Sequence, residues 1–238
     1  MNTNNVFAVP TIFKELDRKI ILNKKEKIIT TEQELLNTYL NVTYPSLKKY
    51  ADFYEFEFKF LKEIPFNTDF DIPVQKKIWY SKSYYIKKLF EQYNNIIMSD
   101  FDVIIKTYNN VLNKNEIGLI IKDNVLDQYK GEAEFVSKKL NKQINRWYKT
   151  SLLYIPNTYK HVFVDEINKN FDEFLLNPDP VTVGDEVFIN YIIHKHNLPV
   201  FRINDILKVN HYGGGEQKQK LLELNKEYFK FKKYFSYI

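Results

Sequence analysis

The chain has 238 residues, 44% apolar and 27% charged, which suits one large globular domain, or two small ones, able to bury a real core without disulfides or a structural metal. It contains no cysteine, so a disulfide scaffold, a thiolate nucleophile and Cys-based zinc sites are excluded, and any metal must use oxygen or imidazole ligands. The 35 basic residues against 30 acidic ones leave +5, too little and too dispersed to demand nucleic acid but suited to an anionic ligand.

Met1 to Pro10 lacks a charged region followed by a long apolar stretch, and no run of 18 apolar residues occurs. The expectation is a soluble, cytoplasmic protein without signal peptide or transmembrane segment. Asn, Lys and Ile are conspicuous, while Gly is scarce at 6 residues. That is the codon bias of an AT-rich genome, such as a viral one, which would place the protein in a host cytoplasm. No repeat or Pro/Gly/Ser linker divides the sequence, so residues 1–238 read as a single domain.

Lys24 to Lys27 is a charged stretch that reads as a solvated loop or helix end. From Phe53 to Phe60, the alternation of Phe56, Phe58 and Phe60 with Glu57 and Lys59 predicts a strand. From Val74 to Tyr93 the apolar positions Val74, Ile78, Ile86, Leu89, Phe90 and Tyr93 fall at helical spacing after Pro73. Ile96-Ile97-Met98 is too short for a helix and reads as a buried strand that ends at Ser99-Asp100-Phe101-Asp102, before Val103-Ile104-Ile105.

Ile117 to Ile121 and Ser151 to Ile155 are further buried strands, with a helix expected over Phe135 to Ile144. Lys160 to Leu176 has helical spacing, and Asp185 reads as the N-cap of a helix running to Lys195. Pro199 to Ile206 reads as extended, and Val209-Asn210-His211 leads into Gly213-Gly214-Gly215. The Lys- and aromatic-rich tail, 221–238, reads as a helix packed on the body. Alternating strands and helices predict an α/β domain, Rossmann-like, with a central, mainly parallel sheet flanked by helices and ligands gathered at the strands' carboxyl ends.

Asp100 and Asp102 share a face if the strand runs through them, and converge on one ion if it turns there. Two hard carboxylates with room for water and phosphate oxygens describe a Mg²⁺ or Mn²⁺ site. Turn or capping aspartates are the plainer reading of such a triplet taken alone. Gly213, Gly214 and Gly215 are half of the chain's glycines and mark a tight backbone whose N–H groups could approach phosphate.

The run Ile96 to Ile105 resembles the strand and D-x-D motif of GT-A-fold glycosyltransferases, in the group that includes the glycogenin-like enzymes. Tyr44-Pro45-Ser46-Leu47-Lys48-Lys49-Tyr50-Ala51 is similar to that group's P-S-x-x-x-Y-A helix, and Gly184-Asp185-Glu186-Val187-Phe188-Ile189-Asn190 to its D-Q/E-x-x-x-N helix start. Asn210-His211-Tyr212-Gly213-Gly214 resembles its H-x-x-G segment. The likeness spans about Tyr44 to Gly215.

It implies a single GT-A-like domain that moves a sugar from a nucleoside diphosphate sugar, a UDP-sugar first, to a glycan or protein acceptor. It further implies that Asp100, Asp102 and His211 hold Mn²⁺ or Mg²⁺. Asp185 and Glu186 would orient donor hydroxyls or serve as general base. Gly213, Gly214 and Lys218 would face the diphosphate, although Gln217 occupies the position where relatives carry a lysine. Lys87 and Lys88, on the helix before the triplet, are alternative sources of positive charge. Trp147-Tyr148-Lys149-Thr150-Ser151 stands where relatives carry N-S/T-G, without that Asn and Gly.

Two other readings compete. Haloacid-dehalogenase-like phosphatases also place D-x-D after an apolar strand and could claim Gly184-Asp185. However, 99 residues precede the triplet, Ile104 stands in their Thr/Val position, and His211 would be idle. A non-catalytic module binding glycan or nucleic acid, or a peripheral membrane contact, would use the basic aromatic tail Tyr228 to Phe235. A packed aromatic helix face is the plainer account of that tail.

Overall fold

The computed structural model describes residues 4–12, 19–23, 28–67, 71–121, 128–177, 184–213 and 215–235. The charged stretch Lys24 to Lys27 and Gly214 lie outside them, as do the side chains of 227–235, so the expectations placed on Lys24 to Lys27, on Gly214 and on the tail's aromatic face concern residues or side chains beyond those described.

The amino-terminal half contains β1 (Asn5–Pro10), β2 (Lys19–Asn23), β3 (Ile28–Thr31), α1 (Glu32–Thr38), a π-helical turn (Tyr39–Thr43), α2 (Tyr44–Phe53), β4 (Glu57–Leu61), α3 (Val74–Phe90), β5 (Asn95–Ser99) and β6 (Val103–Ile105). The rest contains β7 (Ile117–Ile120), α4 (Lys130–Leu140), β8 (Lys149–Ile155), α5 (Lys160–Leu176), α6 (Gly184–Lys195), β9 (Val200–Arg202), α7 (Ile203–Leu207), β10 (Val209–His211) and α8 (Gly215–Phe235).

The central sheet has six strands in the order β4-β1-β5-β8-β7-β9. Strands β4, β1, β5, β7 and β9 run one way, and β8 alone opposes both of its neighbours. The sheet is therefore mainly parallel, as expected. Burial on both faces explains the unbroken apolar runs. In β1, Val6 and Ala8 enter one core layer and Phe7 and Val9 the other; in β5, Ile96 and Met98 oppose Ile97 in the same way.

The first layer is completed by α3, α4, α5 and α6, with Phe163, Phe174 and Phe188 wholly buried. The second is completed by α1, α2, α7 and the start of α8, through residues such as Leu35, Leu47, Tyr50, Leu207 and Leu221. A third element, the β2–β3 hairpin, pairs outside the main sheet.

Several boundaries move. Phe53 ends α2 and is exposed, and Glu55, at φ 56°, turns the chain so that the strand starts only at Glu57. Helix α3 stops at Phe90, short of Tyr93. Helix α4 begins at Lys130 and ends at Leu140, because Asn141 takes a left-handed conformation that closes the helix before Ile144. The expected extended segment from Pro199 to Ile206 is a strand only over Val200–Arg202; Ile203–Leu207 is helical. No helix among the described residues is long and apolar enough to cross a membrane.

Candidate active site

Strand β5 ends at the carboxyl edge of the sheet, where the Asp100 N–H donates to the Ser151 carbonyl at 2.7 Å. The chain then turns about Phe101, whose buried ring packs against Tyr39 and Phe60 and whose carbonyl accepts from the Thr43 hydroxyl. Asp100 and Asp102 flank this anchored ring, so the turn, and not a continuing strand, presents both carboxylates.

Strand β6 then pairs antiparallel with β10, setting His211 opposite Val103, and the Tyr212 N–H donates to the Asp102 carbonyl at 2.9 Å. This ladder closes more than a hundred residues of chain and brings His211 Nε2 to 3.4 Å from Asp102 Oδ1. Nδ1 of the same ring lies 3.4 Å from the Ser151 hydroxyl, which fixes the ring's orientation.

Asp100, Asp102 and His211 each offer a ligand atom within 4.8 Å of the others. Asp102 Oδ1 is buried and makes no hydrogen bond; its contact with His211 Nε2, at 3.4 Å, is an ion-pair approach only. A buried carboxylate oxygen left unpartnered is costly, and a divalent cation would satisfy it. The donor set, two hard oxygens and one imidazole nitrogen, also fits Mg²⁺ or Mn²⁺.

Burial pushes the Asp102 carboxyl up, but neighbouring His211, with Lys218 and Lys82 beyond it, outweighs burial and holds it below the ordinary range. Asp100 lies above that range: burial raises it, Lys82 opposes, and Asp102 and Asp185 add repulsion.

Lys82 is the residue that sequence reasoning missed. Its Nζ lies 2.6 Å from Asp100 Oδ1, 3.1 Å from Asp185 Oδ2 and 3.1 Å from the Thr150 carbonyl. Burial works against its charge, yet the two carboxylates prevail and raise its pKa. A signal existed: Lys82 stands four residues from both Ile78 and Ile86, in the apolar stripe of α3, where a lysine needs a buried partner. Lys87, nominated instead, points elsewhere on the helix, its ammonium 5.4 Å from the Tyr84 ring centroid, and does not line the cleft.

Asp185 is not the N-cap of α6. It sits inside the first turn, after Gly184, and accepts from the Thr150 hydroxyl at 2.8 Å. Glu186 is buried, its Oε1 accepting from the Trp147 indole at 2.7 Å and its Oε2 facing the Thr150 N–H at 3.4 Å. Burial pushes its carboxyl up to about 7, with Trp147 pulling the other way and Asp185 adding to the rise. Asn190 exchanges hydrogen bonds of 2.9 and 2.8 Å with the Tyr148 backbone, fastening α6 to the entry of β8.

These groups line one open cleft of about 610 Å³, which holds Asp100, Asp102, His211, Lys82, Asp185, Glu186 and Gly213 together. Gly213 lies against the imidazole so closely that a Cβ there would be 2.5 Å from His211 Nε2. Lys218 reaches the site through its charge on Asp102. A second cleft of about 680 Å³ adjoins the first at His211 and Gln217.

No protein-family model matches the chain, and no curated protein does. Solved structures do match. A glycosyltransferase involved in the glycosylation of the major capsid of PBCV-1 superposes with a TM-score of 0.50 at 10% identity, over 91% of this chain and 98% of that one. The galactosyltransferase LgtC, solved with donor and acceptor sugar analogues, is similar at a TM-score of 0.49 and 14% identity, over 92% of this chain and 95% of its own. At such identities the likeness is one of fold, and it agrees with the architecture read from the strands and helices: the chain has the GT-A-type fold of the PBCV-1 glycosyltransferase over nearly its whole described length.

Proposed function

We propose that the protein is a metal-dependent glycosyltransferase that moves a sugar from a nucleoside diphosphate sugar, a UDP-sugar in the first instance, to a glycan or protein acceptor. The observation that carries this reading is the convergence of Asp100, Asp102 and His211 around an Asp102 oxygen buried without a hydrogen bond at the carboxyl edge of the sheet. The fold of the PBCV-1 enzyme supports it.

Asp100, Asp102 and His211 would hold Mn²⁺ or Mg²⁺. A bound ion of this kind supplies Lewis-acid neutralisation of the charge that grows on a departing diphosphate. The chain's own groups do the rest. Ser151 orients the imidazole through Nδ1, and Gly213 leaves room for the ring. The Gly213 backbone N–H and the Lys218 ammonium would face the diphosphate.

Lys82 spends its donors on Asp100, Asp185 and the Thr150 carbonyl, so it acts as the positioning residue that fixes both carboxylates. Asp185, held by Thr150, accepts hydroxyls of the sugar being transferred. Glu186, whose carboxyl titrates near neutrality, is suited to take the acceptor hydroxyl's proton as the new bond to the anomeric carbon forms and the bond to the diphosphate oxygen breaks.

The test is thermal denaturation with UDP and other nucleoside diphosphates, with and without Mn²⁺. A ligand at 100 times its dissociation constant adds about 2.7 kcal/mol of stability. The expected result is stabilisation by nucleotide that depends on metal and that Asp102→Ala abolishes while the variant stays folded. Equal stabilisation by UDP in excess chelator, or an unchanged response in Asp102→Ala, sinks the reading.

A further inference from the structure

A transferase cleft must seat a second substrate, and one wall of this cleft carries a residue that the chemistry above does not use. Trp79 lines it, 37% exposed, with its indole N–H unbonded among the described residues. The chain's other tryptophan, Trp147, is 2% exposed and spends its N–H on Glu186.

Trp79 stands one helical turn before Lys82 on α3. Because α3 joins the parallel strands β4 and β5, its amino-terminal end lies at the carboxyl edge of the sheet, so Trp79 stands outward of Lys82, toward the cleft mouth. Ile78 and Ile12 continue the apolar wall, while Asp185, Glu186 and Gln128 bring oxygen and amide groups to the same cleft.

A flat indole face beside hydroxyl-binding carboxylates matches one kind of occupant. A pyranose has one face of C–H bonds, whose partial positive charge suits the negative face of the ring, and an equatorial rim of hydroxyls that needs hydrogen bonds. An extended Ser- or Thr-containing peptide has no such flat face and would look for backbone partners along a strand edge, and a tyrosine ring has the face but not the rim of hydroxyls that the carboxylates would bind. The Trp79 N–H remains as a donor to one sugar oxygen.

We propose that the acceptor is a saccharide and that Trp79 is the platform on which its terminal ring stacks, placing a hydroxyl toward Glu186. This rests on the glycosyl-transfer reading for its chemistry, but the platform itself is measurable without donor or metal.

Because Trp147 is buried, an exposed indole reporter is supplied by Trp79. The protein is titrated, without nucleotide, with methyl pyranosides of the gluco, galacto, manno and xylo series and, separately, with Ser-, Thr- and Tyr-containing peptides. The expected result is a saturable change in the red edge of tryptophan emission with at least one pyranoside, at a dissociation constant on the order of millimolar, and none with the peptides. Trp79→Ala should raise KM for that pyranoside about tenfold, a change of about 1.4 kcal/mol. The same variant should leave Mn²⁺-UDP binding unchanged, and Trp79→Phe should restore most of the loss.

Absence of any pyranoside response, or a saturable response to peptides in its place, overturns the proposal. A loss of UDP binding in Trp79→Ala also overturns it, since the indole would then serve the donor. Failure of the wild-type protein to bind Mn²⁺-UDP counts against the glycosyl-transfer reading and leaves the saccharide titration to be judged separately.

Discussion

Lys82 holds Asp100 at 2.6 Å, from a helix that precedes the aspartate's strand, and the same ammonium reaches Asp185 on α6 at 3.1 Å. One buried cation thereby joins α3, the end of β5 and the start of α6. Without it, two carboxylates would face each other across a cleft that already contains Asp102 and Glu186.

Removing this cation should therefore be expensive. Lys82→Met leaves two partly buried carboxylates uncompensated at the cleft wall, a change that costs up to about 3 kcal/mol after solvent screening. Urea denaturation at pH 7 should show that loss. The deficit should shrink as pH falls and Asp100, whose carboxyl burial already holds above the ordinary range, takes up a proton. A Lys82→Met protein as stable as the parent at pH 7 would show that the ammonium is a spectator.

The contact between Gly213 and His211 gives a test of the metal site that spares the fold. A Cβ at 213 would lie 2.5 Å from Nε2 and 2.6 Å from Cε1 of the imidazole, so Gly213→Ala must push the ring aside. The ring is a side chain near an open cleft and can move at small cost to stability. As a ligand it cannot move freely, and Mn²⁺ affinity should fall about 10–100-fold, as when a ligand's supporting contacts are lost. Calorimetric titration of Mn²⁺ into the variant and the parent reads the difference.

Glu186 predicts a pH dependence with a definite sign. In the unfolded chain its carboxyl titrates near 4.5, whereas burial in the folded protein raises it to about 7. Between those values the folded state holds a proton that the unfolded state has lost, so this residue's contribution to stability falls as pH rises through the window and is constant above it. The interval corresponds to about 3 kcal/mol. Glu186→Gln removes the titration. The stability of the variant relative to the parent should therefore rise by about that amount between about pH 4.5 and 7.5, measured by denaturant titration at each pH. A difference that stays flat with pH would place the carboxyl's titration outside this range.

Gly184 starts α6 against the face of Tyr80, where a Cβ would meet ring atoms at 2.4 and 2.6 Å. Tyr80 is wholly enclosed, so its ring cannot swing away cheaply. Gly184→Ala should cost about 1–3 kcal/mol through overpacking. By shifting the helix start it should also loosen Asp185 from Lys82, lowering donor turnover more than Mn²⁺ affinity. Parallel stability and turnover measurements separate the two effects.

Much of this arrangement was legible in the residues. The apolar run Ile96 to Met98 followed by Asp100 and Asp102 marked the strand and its acidic end, because a strand buried on both faces needs continuous apolar side chains. Lys160 to Leu176 formed the helix its spacing predicted, residue for residue. Phe53 misled because only a short turn separates helix α2 from strand β4, and an aromatic at the end of one prolongs the alternation of the other.

The sequence by itself determined which faces are apolar, where the acidic turn falls and which residue types can take a hard cation, since these follow from local periodicity and side-chain chemistry. Only the tertiary structure decided that His211 reaches Asp102, through the β6–β10 ladder, and that Lys82 rather than Lys87 faces the carboxylates. Those outcomes depend on which strands pair across more than a hundred residues and on the rotation of one helix about its axis, and both are set by packing of the whole core rather than by any neighbouring stretch of chain.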